Sequence, residues 1–119
     1  MRLFLALVLM GALSASCNYG IADISGVPDN PTFNRDIYPL FRDHCQLCHG
    51  SPANRGAPNT FRLDVYDDSG DVAGAMTMAG MSLWQVQENL MPPSAKAGDG
   101  VGPNGQAMLQ KWVDNGTPR

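Results

Sequence analysis

Histidine, cysteine and charge are scarce in this chain of 119 residues: two histidines, three cysteines, and charged side chains at 16% of the total. With so few nitrogen and sulfur donors, a structural zinc would have to draw its ligands from His44 to His49, a stretch too short to wrap a tetrahedron. Basic residues are few as well, eight against eleven acidic ones, and that balance argues against nucleic acid as a partner. The acidic stretch Asp67-Asp68-Ser69-Gly70-Asp71 lacks the alternating Asp order and closing Glu of a calcium loop, so it reads as a solvated turn. The apolar run Leu3 to Leu13 is too short for a permanent membrane span. Preceded by Met1-Arg2 and followed by Ser14-Ala15-Ser16, it has the layout of a secretory signal over residues 1–16.

What is scarce is also concentrated. Cys45-Gln46-Leu47-Cys48-His49 holds two of the three cysteines and one of the two histidines, in the C-x-x-C-H order of a c-type haem attachment site. Two thiols three apart on one helical face can reach the two vinyl groups of one haem, and the next residue turns its imidazole to the iron. Cys45 and Cys48 are therefore the expected thioether donors and His49 the expected proximal ligand. A thiol-disulfide motif would follow a strand and open a helix, whereas here a helical apolar pattern runs into the cysteines. His44 falls away from that face and reads as a surface or supporting histidine.

The third cysteine, Cys17, follows the small residues of the signal and resembles the lipid-bearing cysteine of a bacterial lipoprotein. Ser14 stands where such signals usually carry Leu, so conventional cleavage near Ser14 to Ser16 is the alternative. An odd thiol in an exported chain favours the lipid. The expected place is periplasm-facing, with contact to the membrane only through Cys17. Without Arg2, seven basic side chains face eleven acidic ones, a formal charge of −4. Residues 17–32, rich in Gly, Asp, Asn, Ser and Pro, read as the anchor cysteine and a flexible tether, and 33–119 as one domain.

Within that domain Phe33 to His49 reads as the first helix, capped by Asn34 or Asp36, with Pro39 in its first turn and Ile37, Leu40, Phe41, Cys45 and Cys48 on one face. Gly50 to Thr60 is a loop, expected to offer a backbone carbonyl, from Pro58 or a neighbour, to the free nitrogen of the proximal imidazole. Phe61 to Tyr66 reads as an extended segment placing Phe61 and Leu63 at the haem edge, with Arg62 or Arg55 near a propionate. Val72 to Gly80 suggests a short, weak helix with Met76 and Met78 as core filler. Ser82 and Gln85 fit a capping box that opens a helix with Leu83, Val86 and Leu90 as its stripe. Pro92 ends it and leaves Met91 on irregular backbone, a useful posture for an axial ligand. After a Gly-rich loop, Asn104 to Asn115 is the last helix, with Asn104 as its expected cap and Met108, Leu109, Trp112 and Val113 on one face. In so small a domain the first and last helices must bury their stripes on each other.

Taken in order, Asp36-Ile37-Tyr38-Pro39-Leu40-Phe41, Cys45-x-x-Cys48-His49-Gly50, Phe61-Arg62-Leu63-Asp64, Met91-Pro92-Pro93 and Lys111-Trp112-Val113-Asp114-Asn115-Gly116 resemble the small monohaem cytochrome c domains of bacteria, closest to the planctomycete and myxobacterial type, over residues 33–118. The resemblance implies an all-α class I cytochrome c fold around one covalent haem c, with His49 and Met91 as axial ligands. It implies one-electron transfer between redox proteins rather than enzymatic turnover. Many members of that family are modules of larger proteins, so the donor and acceptor stay unnamed. Two other readings compete: a haem peroxidase or ligand sensor with an open distal site, and a surface lipoprotein whose haem is structural. The first would need a distal acid-base group, which His44 is badly placed to supply.

Overall fold

In a computed structural model, residues 23–93 and 100–119 are described. The expected signal peptide, Cys17, the first part of the tether and most of the loop before the last helix lie outside them. The described chain is helical: a π-helical turn Phe33–Ile37, then α1 (Tyr38–His44), α2 (Gln46–His49), α3 (Ala79–Gln87) and α4 (Gly102–Asp114). Among the described residues there is no strand, only two isolated bridges, Phe61 with Ala73 and Ser69 with Val72. The all-α expectation holds at that level.

The first helix is not the continuous rod that its periodicity suggests. Proline at 39 lacks an N–H and its ring would crowd the carbonyl four residues back, so the turn ahead of it opens to a wider repeat. The Ile37 N–H reaches Thr32 O at 3.1 Å, and the Tyr38 N–H reaches Phe33 O. Asp36 serves the start of this element, accepting the Thr32 N–H at 2.8 Å, while Asn34 is exposed. At the other end the helix breaks at Cys45 (φ −125°, ψ −38°) before α2 begins.

The first and last helices close on each other as expected. Trp112 and Phe41 are fully buried and meet edge to face, centroids 6.3 Å apart, and Phe33 lies 6.2 Å from Trp112. Each such side chain contributes about 1.5–3 kcal/mol on burial. Gly105 permits the close approach, because a Cβ there would stand 3.2 Å from Leu40 Cδ1. Leu109, Met108 and Val101 of the C-terminal side, Leu40 and Ile37 of the first helix, Ala79, Leu83 and Val86 of α3, and Leu63 and Ala75 of the segment between α2 and α3 complete the core. Val113 sits only at its margin.

The tail after α4 is pinned rather than frayed. Pro118 O accepts both the Phe33 N–H and the Trp112 Nε1–H, each at 2.9 Å, and Thr117 O accepts the Tyr66 hydroxyl at 2.6 Å. Arg119 pairs with Asp67 at 2.8 Å and lies over the Tyr66 ring.

Four expectations fail for physical reasons. The stretch read as a tether is docked from Asp23 onward: Pro31 is fully buried, and Ile24 and Val27 pack on the core. The Asp23 carboxylate accepts the N–H groups of Asn104 (3.2 Å) and Gly105 (3.1 Å), so α4 is capped by a residue some eighty positions away rather than by Asn104. Asn104 instead donates its side-chain amide to Ile24 O. Gly102, at φ +75°, takes a backbone conformation suited to glycine and leaves room for that carboxylate. The capping box at Ser82 is not used either, since α3 starts at Ala79 and the Ser82 N–H already bonds to Met78 O at 2.8 Å. Finally, α3 ends at Gln87, so Leu90 leaves the stripe and is exposed.

Between α2 and α3 the chain is held by side chains and single bridges. Asp68 gathers its acidic turn by accepting the Gly74 N–H (2.7 Å) and the Thr77 hydroxyl (2.9 Å). Residues 75–78 form a turn, not the weak helix expected over 72–80, and Met76 is exposed rather than core filler.

Candidate cofactor site

The break at Cys45 makes the motif a turn of its own. Cys45 O accepts the Cys48 N–H (3.2 Å) and the His49 N–H (2.9 Å), while the Cys45 N–H still ends α1 on Phe41 O at 2.7 Å. Three of the predicted site residues are thereby brought together on one short turn. Both thiols are free and half-buried, and Leu47 between them is exposed. Burial, with the neighbouring Cys48 adding to it, pushes the Cys45 thiol up to about 12. A thiol held protonated is a poor zinc thiolate or attacking nucleophile, and among the described residues no group of three or more His, Cys, Asp or Glu side chains comes together to hold a metal alone.

His49 is the one buried polar side chain of the described core. Its Nδ1 is buried without a hydrogen-bond partner among the described residues. Burial lowers its pKa, which keeps the imidazole neutral and its lone pair available. The carbonyl expected from the 50–60 loop is absent there, and Pro58 is exposed. The segment that reaches His49 is Phe61 to Leu63, held in place by two of its backbone N–H groups. The Leu63 N–H bonds to His49 O and the Arg62 N–H to Ala73 O, both at 2.8 Å. What this segment offers the imidazole is a ring: Phe61 stacks on it, centroids 4.7 Å apart and planes 24° from parallel. Gln46 ties the same segment from the other side, donating from Nε2 to Leu63 O at 3.3 Å.

Met91 lies on a separate segment, half-buried on the chain leaving α3, with its N–H on Gln85 O at 3.2 Å. The turn that delivers it passes through Asn89 at φ +54°. Met108 is buried in the core and Met81 is exposed. Arg62, expected near a propionate, forks onto Asp64 through two hydrogen bonds, and that contact holds the Asp64 carboxyl below its usual range. Arg55 is exposed. His44 is half-buried and its pKa is lowered by that burial, against the opposing charges of Asp43 and Asp23.

The donor set fits a covalent haem. Two thiols and a neutral histidine share one turn, the donor types and spacing that a covalent haem would use. No family model matches the chain, and comparisons with curated proteins and with solved structures gave no match either. The contacts missed in the sequence are those of Phe61 and Gln46 with the motif turn and its neighbour. Helical periodicity carries no information on pairs separated by twelve or more residues of loop.

Proposed function

We propose that this chain is an exported one-haem cytochrome of the class I type that transfers electrons one at a time between redox proteins. Cys45 and Cys48 would hold the haem through thioethers, with His49 as the proximal and Met91 as the distal residue that would ligate the iron. The observation that carries this reading is the separate turn on which two free thiols and a buried, incompletely bonded histidine meet. Haem, when bound, supplies the one-electron Fe(II)/Fe(III) exchange.

The chain's own residues supply attachment, ligation and shielding. Burial keeps the Cys45 thiol protonated and Cys48 is free beside it on the same turn, so both would be available for joining to vinyl carbons. His49 is kept neutral by its burial, so it presents a lone pair rather than a charge. The thioether of Met91 is a soft donor that favours the reduced iron and raises the potential relative to a second histidine. Phe61 covers one face of the His49 ring, and the buried Leu63 bonds through its N–H to the His49 carbonyl. Anchoring is assigned to lipid on Cys17, holding the domain on the periplasmic side of a bacterial membrane.

The absorption spectrum of the reduced, exported protein with and without carbon monoxide tests the assignment. A haem spectrum that carbon monoxide leaves unchanged in the wild type but alters in Met91→Ala is the expected result. A wild-type spectrum that changes at once would support an open-site sensor or peroxidase, and no haem absorption would end the reading. Fatty acid label on the mature protein, lost in Cys17→Ser, tests the anchor separately.

A further inference from the structure

Histidines that serve metals are usually oriented by a hydrogen bond on the nitrogen that faces away from the metal, which fixes the tautomer and the plane of the ring. His49 has no such bond: among the described residues nothing donates to or accepts from its side chain, and Nδ1 is buried. The ring nonetheless has a defined neighbour in Phe61, 4.7 Å away and within 24° of parallel. Phe61 is itself fixed, because its backbone bridges Ala73 through Arg62 N–H to Ala73 O (2.8 Å) and Ala73 N–H to Thr60 O (2.9 Å). The next turn of the same segment is tied to the histidine's own carbonyl by the Leu63 N–H.

We propose that Phe61 is the positioning residue of His49: a stacked aromatic ring, held by the bridge to Ala73, sets the plane of the imidazole in place of a hydrogen bond. This rests on the haem reading above for its consequence, but not for the stack itself. An aromatic face constrains tilt and rotation about the ring normal less tightly than a directional hydrogen bond, and it withdraws no proton density from the imidazole. His49 should therefore be a less basic ligand than one whose N–H is shared with a carbonyl, and its plane should depend on the shape of residue 61.

The test uses Phe61→Leu, which keeps an apolar side chain of similar size, and Phe61→Tyr, which keeps the ring. In the oxidised holoprotein the order of the haem-methyl proton resonances reports the plane of the axial imidazole. That order should rearrange in Phe61→Leu and be retained in Phe61→Tyr, with covalent haem in both. The wild-type order persisting in Phe61→Leu would overturn the proposal. If the wild type proves to carry no haem, the same variants are read in the haem-free chain. There, the upfield ring-current shift of the His49 carbon-bound protons should vanish in Phe61→Leu and remain in Phe61→Tyr. A wild-type spectrum lacking that shift would overturn the stack independently of the cytochrome reading.

Discussion

The two ends of the domain and its middle are built on different terms. At the ends, the π-helical turn with α1 and the helix α4 bury Phe33, Phe41 and Trp112 on one another, and the polar groups around them find partners: Pro118 O takes two N–H donors and Asp23 takes two more. In the middle, from Cys45 to Met78, regular structure shrinks to the short α2 and isolated bridges, and the buried groups include a nitrogen without a partner and a thiol held protonated. The closed end supplies stability. The open middle holds the turn on which the proposed haem would be attached.

The largest effect should come from breaking the closed end. Trp112→Ala removes a fully buried indole and its bond to Pro118 O, and should cost about 3–5 kcal/mol in urea unfolding, with or without a cofactor attached. Asp23→Ala comes next. It strips the carboxylate from two N–H groups at the start of α4 and should cost about 1–2 kcal/mol, although residue 23 is exposed and looks dispensable.

Much of the closed end was legible in the sequence, because its signals are local and periodic. The stripes Ile37-Leu40-Phe41 and Met108-Leu109-Trp112 repeat at helical spacing, and both are buried. The cap of α4 was not legible, since Asp23 acts across some eighty residues and a Gly/Asp/Ser-rich stretch carries the same composition whether it dangles or docks. The capping box at Ser82 misled because Ala75 and Ala79 are buried, and that packing starts α3 a turn earlier than the hydroxyl would. The motif turn is the opposite case. Cys45, Cys48 and His49 announce themselves by spacing alone, yet the partner of the imidazole, Phe61, does not, because it arrives from a loop with no period to read.

In the middle the sign of a substitution should reverse. His49→Leu in the haem-free chain replaces a buried, unpartnered nitrogen with carbon and should leave stability unchanged or raise it by up to about 1 kcal/mol. A loss as large as that of Trp112→Ala would mean that the middle contributes to the fold as the ends do.

The smallest effect concerns acid. The hydrogen bonds from Arg62 depress the Asp64 carboxyl, so this pair contributes stability above the ordinary carboxylate pKa of about 4 and loses it as pH falls through the depressed value. Asp64→Asn should therefore lower the unfolding free energy slightly at pH 6, by less than about 1 kcal/mol, with the difference from wild type shrinking as pH falls. A difference that grew toward low pH would reverse the assignment.

The central claim is that Cys45 and Cys48 hold a haem, and the mass of the denatured protein tests it most directly. Purified from a bacterial periplasm equipped for haem attachment, the wild type should keep the mass of one haem through acid and organic solvent, and Cys45→Ser with Cys48→Ser together should lose it. Wild-type protein of unmodified mass, with both thiols free to alkylate, would contradict the account.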